Sequence, residues 1–267
     1  MEAPVYSIRG RKTGSITLPP LFTLQPRRDL IHRVFVHQQS HAIQPQGRDP
    51  LAGRKTSAEY FGTGLGMARI PRIKSQPHRG RGATVAMAVG GRKPHVTTPE
   101  KRVYKRINKK ERALAIASAI AASADPKIVA ERGHLIDEVP HIPLIVTDGL
   151  EKISNTRDFM DATKKLGLAP DIERVRGSVK TVGGKASWRG RRVKHRVGPL
   201  IVYAKDRGIS KASRNVLGVD AVSAEDVSVI HLAPGGLPGR LTVWDRSALR
   251  VLEERFKDRV RMVSQSV

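Results

Sequence analysis

Pro143-Leu144-Ile145-Val146-Thr147-Asp148-Gly149 is a run of branched apolar residues that an Asp-Gly turn signal closes. Such a run is typical of a strand that is buried on both faces, as in a parallel sheet. A second run of this type occupies residues 199–204, and shorter ones occupy residues 219–222 and 240–244. The four runs are predicted strands, and the first two are of the buried type.

Helical patterns separate the four predicted strands. The first predicted helix lies near the start and carries Leu30, Ile31, Val34 and Phe35. A second has a capping box at Asn108 and Glu111 and carries Leu114, Ala117 and Ala121. A third is capped by Asn155, carries Phe159, Ala162 and Leu166, and ends at Gly167 and Pro170. A short fourth helix is predicted over residues 211–217, and a fifth is capped by Asp245 and carries Leu249, Leu252 and Phe256. Strands that alternate with helices predict an α/β sandwich with a mainly parallel sheet.

Positive charge is concentrated in two glycine-rich stretches of the 267-residue chain. The chain has 49 Lys and Arg against 24 Asp and Glu, for a net charge of +25. Residues 48–112 carry +13 and residues 174–196 carry +9, so the rest of the chain is almost neutral. This distribution indicates a polyanionic partner that is bound by particular segments, and it favours nucleic acid.

The first basic stretch lacks the periodicity of a helix or a strand. Residues 48–106 are long for a loop in a compact domain, and about 30 extended residues each way would reach about 100 Å. Its apolar residues are too scattered to offset its conformational entropy, so we expect it to become ordered only when embedded in its partner. Its aromatic residues are Tyr60, Phe61 and Tyr104, which favours phosphate clamping by Arg and Lys over base stacking.

The second basic stretch repeats this chemistry around one aromatic residue, Trp188. Its cations are Arg174, Arg176, Lys180, Lys185, Arg189, Arg191, Arg192, Lys194 and Arg196. An isolated run of this kind is often a solvated insertion. Because two such stretches hold nearly the whole excess of positive charge, we favour binding of a polyanion over a solvated insertion.

Composition and motifs give little support for an enzyme. The absence of cysteine excludes disulfide scaffolds and thiolate zinc sites. The start has no secretory signal pattern, and the alanine-rich residues 113–124 are too few to span a membrane, so we expect a soluble, intracellular protein.

Three near-matches to catalytic motifs are also weak. Residues 184–186 place Ala where a P-loop needs Ser or Thr, and His37 and His41 have zinc-protease spacing but Gln38 between them in place of Glu. Asp148 follows a strand, as catalytic carboxylates of α/β enzymes often do, and a turn-forming Asp-Gly explains it equally well.

Several stretches together resemble one known family. They are Pro-Leu-Phe at residues 20–22, Arg-Asp-Leu-Ile at 28–31, Gly-Thr-Gly at 62–64, Asn-Lys-Lys-Glu-Arg at 108–112, Arg-Gly-His at 132–134 and Leu-Ala-Pro-Gly-Gly-Leu-Pro-Gly-Arg-Leu-Thr-Val at 232–243. In this order they resemble the universal large-subunit ribosomal protein L-four family, in its archaeal form, over essentially the whole chain. Eukaryotic members generally carry a long C-terminal extension, which favours the archaeal form here.

The resemblance implies a structural constituent of the large ribosomal subunit, cytoplasmic and ribosome-associated, with no catalytic, cofactor or metal site. It implies a Rossmann-like three-layer body formed by residues 1–47 and 107–267, a long rRNA-penetrating loop at 48–106, and a basic insertion at 174–196. The loop is expected to line the nascent-peptide exit tunnel beside ribosomal protein L-twenty-two, and the insertion to contact further rRNA. The nascent peptide would be a passing partner.

This organisation predicts which residues bind rRNA and which lie near the tunnel. The expected rRNA-binding residues are Arg48, Arg54, Lys55, Arg69, Arg72, Lys74, Arg79, Arg81, Arg92, Lys93, Lys101, Arg102, Arg176, Lys180, Lys185, Arg189, Arg191, Arg192, Lys194 and Arg196. The expected tunnel-proximal loop tip comprises Gly62, Gly64, Leu65, Gly66, Met67, Arg69 and Arg72.

Two alternatives from other classes remain open at this point. An RNA-modifying enzyme would hold a cofactor in its α/β domain and use the basic arms for RNA. A DNA-compacting protein would need a groove-fitting helix or wedge residues, and the arms offer neither clearly.

Overall fold

Strands and helices alternate along the chain. The computed structural model describes residues 2–147 and 149–264, and of residues 258–264 it describes the backbone alone. The strands are β1 (Glu2–Tyr6), β2 (Lys12–Thr17), β3 (Ala58–Glu59), β4 (Arg72–Ile73), β5 (Leu144–Val146), β6 (Lys180–Thr181), β7 (Val193–Lys194), β8 (Leu200–Tyr203), β9 (Asp220–Ser223) and β10 (Thr242–Asp245). The helices are α1 (Arg28–Ser40), α2 (Lys109–Ala124), α3 (Pro126–Glu131), α4 (Thr156–Lys165), α5 (Ala169–Gly177), α6 (Lys185–Trp188), α7 (Ile209–Ser213), α8 (Val229–Leu232) and α9 (Arg246–Ser264).

The body is built on a central sheet. Within the described residues this sheet has the order β2-β1-β5-β10-β8-β9. All neighbouring pairs run parallel except β1 and β2, which form an antiparallel hairpin at one edge. β10 is inserted between β5 and β8, with Val243 opposite Leu144 on one side and Ile201 on the other. The predicted fold class, an α/β body with a mainly parallel sheet, is confirmed.

Helices cover both faces of the sheet and create two apolar clusters. Successive residues of a strand point to opposite faces, so Ile145 and Trp244 join one cluster with α1, α2, α8 and α9. Leu144 and Val243 join the other cluster with α4, α5 and α7. Trp244 is fully buried, and its ring meets that of Phe22 edge to face at 5.4 Å. The two clusters lie on opposite faces of the sheet, so the body has three layers, helices on each side of a central sheet.

The predicted helices of the body are confirmed in place. Asn108 accepts a hydrogen bond from the Lys110 backbone N–H and so caps α2. α2 is buried on almost every side, not on one face as predicted, because its alanines allow α3, α8 and α9 to approach closely. The apolar residues predicted on α4 and α9 are buried. The helix predicted at 211–217 is displaced, because α7 begins at Ile209 and ends at Ser213.

Several elements of the body are not predicted from the sequence, among them β1 and α5. β1 has Ala3 and Val5 as its inward residues, with Pro4 between them, and proline is disfavoured inside a strand. Pro170 was interpreted as the stop of α4, but it lies in the first turn of α5, where proline is well tolerated. Asp148, expected at the end of β5, lies outside the described residues.

The chain divides into two compact units. Residues 1–39 and 106–267 form the body, and residues 40–105 form the second unit, which we call the arm. Inside the arm, β3 and β4 pair antiparallel, with Ala58 opposite Ile73. Among residues 40–105, Ala83 is the buried apolar side chain, so the arm has no hydrophobic core.

Candidate nucleic-acid interface

The cations that the sequence assigns to RNA binding lie at the surface. All twenty are exposed except Arg72 and Arg92, which are half-buried. Charge on an exposed surface is available to phosphates, and the absence of a core in the arm leaves its side chains free to face a partner.

The two halves of the arm run against each other. The Arg48 N–H donates to the Thr97 carbonyl at 3.2 Å. Gly53 packs so closely that a Cβ there would lie 2.5 Å from the backbone of Gly91 and Arg92. Glycine is therefore required where the outgoing and returning segments meet, which explains part of the arm's glycine content.

The tip of the arm is a glycine-rich loop closed by β3 and β4. Gly62, Gly64 and Gly66 have positive φ and open space around them. Leu65 and Met67 are 55% and 47% exposed. The tip therefore exposes the apolar side chains of Leu65 and Met67 on a backbone in which residues 62, 64 and 66 are glycine.

Arg69 and Arg72 differ although the sequence pairs them. Arg69 is exposed, whereas the Arg72 guanidinium donates to the carbonyls of Gly80 at 2.7 Å and Ala68 at 3.2 Å. Arg72 thus braces the tip from within the arm. Two other predicted cations have acidic partners in the arm, Lys55 with Asp49 and Lys74 with Glu59.

The second basic stretch folds as a hairpin, which we call the basic hairpin (residues 180–194). Lys180 lies opposite Lys194 in the β6–β7 ladder, and α6 forms the tip. The Ser178 hydroxyl accepts a hydrogen bond from the Arg196 N–H at 2.9 Å and closes the base. No side chain in residues 180–194, all of which the structure describes, is buried.

Arg174 differs from the rest of its stretch because it belongs to the body. Its Nε donates to Asp171 at 2.8 Å and its Nη2 to the Val197 carbonyl at 3.0 Å. Asp171 is fully buried and also accepts from the Leu135 N–H and from His134 Nδ1, each at 3.0 Å. Burial raises the pKa of Asp171, but its hydrogen bonds from His134 and Arg174 outweigh burial, so its pKa is lowered and it stays ionised.

Two further arginines of the body hold distant segments together. Arg132 donates to the carbonyls of Pro234 at 2.7 Å and Pro238 at 3.4 Å. Burial, with the positive charges of Arg240 and Arg174, lowers the pKa of Arg132 to about 10, so it remains protonated at neutral pH.

Arg240 is 1% exposed and joins three segments. Its donors reach the carbonyls of Gly198 and His231 at 2.8 Å each and the Asp220 carboxylate at 2.6 Å. Both arginines lie in stretches that carry the family resemblance: Arg132 in Arg-Gly-His, and Arg240 in the stretch from Leu232 to Val243. Sequence analysis missed this role, because their partners are distant in sequence.

At the edge where the parallel strands end, an acidic side chain of the protein occupies the backbone N–H donors and lines a cavity of about 520 Å³. Ligands of open α/β sheets bind outside the carboxyl ends of the strands. Here the Glu151 carboxylate occupies that edge and accepts from the N–H groups of Ala204 at 2.9 Å and Lys205 at 3.0 Å and from the Ser247 hydroxyl at 3.0 Å. Burial raises the pKa of Glu151, yet these hydrogen bonds outweigh it and lower the pKa. A cofactor phosphate would compete with this carboxylate for the same N–H donors.

His37 and His41 have structural partners. His37 Nδ1 lies 3.2 Å from the Arg106 carbonyl in the body. In the arm, His41 Nε2 lies 3.0 Å from the Lys105 carbonyl, and its ring stacks on Tyr104 at 4.2 Å. Across residues 2–147 and 149–264, no three His, Asp or Glu side chains are grouped to hold a metal ion. In the same residues, no helix is long and apolar enough to cross a bilayer.

The geometry defines a class of protein: an α/β body with two apolar clusters, accompanied by two exposed cationic segments without a core. The model of the ribosomal protein L4/L1 family matches residues 16–255. Large ribosomal subunit protein uL4 of Methanopyrus kandleri is 47% identical over 258 residues, covering 96% of this chain and 99% of that protein. The uL4 proteins of Saccharolobus solfataricus and Saccharolobus islandicus are 43% and 41% identical over 252 residues, covering 94% of this chain and 93% of each relative.

The chain belongs to the ribosomal protein L4/L1 family. This confirms the resemblance, including its archaeal form, since these relatives are archaeal. The family consists of structural ribosomal proteins that function in the cytoplasm, so the predictions of a non-enzymatic protein and of a cytoplasmic, ribosome-associated location are confirmed. The RNA-modifying enzyme and the DNA-compacting protein are thereby set aside.

Proposed function

We propose that this chain is a structural constituent of the large ribosomal subunit that binds rRNA through the arm and the basic hairpin. The observation that carries this proposal is the separation of charge from core. The predicted cations lie on the arm and the basic hairpin and beside the base of that hairpin, where there is no core. The body has two apolar clusters and holds Arg132, Arg174 and Arg240 in internal hydrogen bonds.

The chemistry of the excursions suits an RNA backbone. Exposed Arg and Lys clamp phosphates, and each phosphate neutralised releases counterions, so affinity should fall steeply with salt. The expected contacts are the sixteen cations of the predicted set that are exposed and have no acidic partner in the arm. Lys55 and Lys74 are exposed but paired with Asp49 and Glu59, and Arg72 and Arg92 are half-buried.

The tip of the arm is the segment proposed to line the nascent-peptide exit tunnel. Leu65 and Met67 are exposed beside glycines, which offers a small, largely uncharged surface past which a peptide can slide. Arg69 would face either the lumen or the surrounding rRNA. Ribosomal protein L-twenty-two is the proposed neighbour at this constriction, and the nascent peptide a transient partner.

Sedimentation of a cell lysate through a high-salt sucrose gradient tests the ribosomal assignment. The chain should remain with the large subunit after the salt wash, because embedded arms dissociate slowly. Recovery at the top of the gradient would contradict the proposal.

Site-specific photocrosslinking tests the tunnel assignment. A photoreactive residue at Leu65 should crosslink to a nascent chain in stalled ribosomes and to ribosomal protein L-twenty-two. The same residue at Leu217, which is 42% exposed on the body, should crosslink to neither. Equal yields from the two positions would remove the tip from the tunnel wall.

A further inference from the structure

The tip of the basic hairpin displays an aromatic side chain that the body does not use. Trp188 ends α6 and is 82% exposed, whereas the chain's other tryptophan, Trp244, is fully buried. In the described part of the chain, no other ring and no cation stacks on the Trp188 indole. Tryptophan is enriched at interfaces, because its large ring is buried there against a partner, so Trp188 is a candidate contact residue.

The backbone of the tip is held in place before any partner arrives. The Val182 N–H donates to the Arg192 carbonyl at 2.7 Å, and the Arg191 N–H donates to the Ala186 carbonyl at 2.9 Å. The Trp188 N–H donates to Gly184 at 3.4 Å. Because the turn is already ordered, placing the indole against a partner costs little additional conformational entropy.

The charges around Trp188 restrict what that partner can be. Lys185, Arg189, Arg191 and Arg192 are all exposed near it, and residues 174–196 contain no acidic residue. A second copy of this hairpin would be repelled. A partner that is anionic and also offers a flat aromatic face is a nucleotide.

We propose that Trp188 stacks on an unpaired base of RNA while the flanking cations hold the neighbouring phosphates. This inference rests on the proposed RNA-binding function and assigns the hairpin a contact to a base. Bases inside an RNA duplex are covered by their neighbours, so the indole requires a loop, a bulge or a strand end. The sequence predicts phosphate clamping by both basic stretches, and stacking at the hairpin tip is added to it.

The two tryptophans make the stacking directly measurable. Stacking on a base quenches indole emission, and Trp244 is shielded in the core, so quenching reports on Trp188. The full chain would be titrated with a mixed-sequence single-stranded RNA of about a dozen nucleotides, the blunt duplex of the same length, and inorganic polyphosphate, with binding followed separately by anisotropy of a labelled probe. Single-stranded RNA should quench strongly, while the duplex and polyphosphate should bind with little quenching.

Matched variants separate stacking from apolar contact. Trp188→Phe keeps a stacking face and should retain single-strand affinity within about threefold while abolishing the quenching. Trp188→Leu should bind single-stranded RNA roughly 5- to 150-fold more weakly, the range for losing one stacked base, with duplex affinity unchanged. Val193→Ala, at a 55% exposed residue of the same hairpin, should change neither signal. Unchanged Trp244 emission in Trp188→Phe confirms that the body is folded.

The possible failures have distinct meanings. Equal quenching by polyphosphate and RNA would overturn the stacking, as would wild-type affinity of Trp188→Leu for the single strand, and the RNA-binding function would stand in both cases. If Trp188→Leu weakened incorporation into the large subunit without changing RNA affinity, the indole would contact a protein and the stacking would be overturned. Absence of binding to both RNA and polyphosphate would overturn the RNA-binding function, and the stacking with it.

Discussion

Arginines of this chain carry the same charge in opposite surroundings. Arg240 is buried and saturates its guanidinium with carbonyls and a carboxylate, whereas Arg191 on the basic hairpin is exposed. The first is required for the fold and the second is available to phosphates. Formal charge alone does not separate these two roles.

Removing Arg240 should destabilise the body strongly. Arg240→Ala leaves the carbonyls of Gly198 and His231 without their donor, whereas the Asp220 carboxylate is 55% exposed and can be hydrated. The free energy of unfolding should fall by about 2–5 kcal/mol. Arg240→Lys should rescue little, because an ammonium cannot reproduce the planar fork. Denaturant unfolding followed by Trp244 emission measures both.

Arg27 is the matched control for Arg240. It is exposed and pairs with Asp29 at the surface, at 2.8 Å. Arg27→Ala should leave the unfolding midpoint nearly unchanged. A wild-type midpoint for Arg240→Lys would show that the fork geometry is not needed.

His134 should make the body less stable in mild acid. Burial lowers the pKa of His134 below its ordinary 6.5, although Asp171 raises it. The unfolded chain therefore binds a proton at a higher pH than the folded chain, so stability is full above pH 6.5 and declines as the pH falls below it. Burial also lowers the pKa of His231, which acts in the same direction.

The variant His134→Asn separates the effect of His134 on acid stability from that of His231. Asn retains an N–H donor for Asp171 but does not titrate. The loss in Tm between about pH 7.5 and 5.5 should be a few degrees smaller in the variant, since 1 kcal/mol corresponds to roughly 2–4 °C for a body of this size. Asp171 titrates below its ordinary 3.8 and does not interfere in this interval. Identical losses in the two proteins would contradict the assignment.

The basic hairpin is an element that adds charge without adding to the core. None of the side chains of residues 180–194 is buried, and its base is closed by Ser178 and Arg196 outside the excised span. Replacing residues 180–194 with Gly-Gly should therefore leave Tm within a few degrees of the full chain.

The same excision should change RNA binding in a defined way. It removes Lys180, Lys185, Arg189, Arg191, Arg192 and Lys194. The slope of log K against log salt should become shallower by up to about 4 if all six contact phosphates of single-stranded RNA. A hairpin with these six cations changed to Gln should show the same slope without any change in loop length. An unchanged slope in both would remove the hairpin from the interface.

For the molecule as a whole, the arm and the body should be separable. Deleting residues 54–100 and joining Gly53 to Lys101 through a short Gly-Ser linker removes no residue of either apolar cluster. The deletion should leave a folded body with nearly the Tm of the full chain but weaker, less salt-dependent rRNA binding. Calorimetry and filter binding measure the two properties, and an unfolded product would contradict the two-unit organisation.

Sequence analysis anticipated those parts of the body that depend on local patterns. The strands at residues 144–146 and 200–203 and the capped helix α2 follow from runs and caps within a few residues. β1 was missed because its two inward residues are separated by Pro4, and the strand β2 that follows it in the hairpin is mostly exposed and carries no apolar run. α5 was missed because the proline that begins one helix resembles the stop of the previous one.

By itself, the sequence determined the α/β class, the family, and the two places where charge accumulates, because periodicity, motif order and local charge are properties of neighbouring residues. Only the tertiary structure decided which cations are available. Arg174 is bound to the body by Asp171 and Val197, and Arg72 by carbonyls of the arm. It also decided that Trp188 faces solvent while Trp244 is in the core. Burial and hydrogen bonding join residues that are distant in sequence, and the chain in its linear order does not contain those distances.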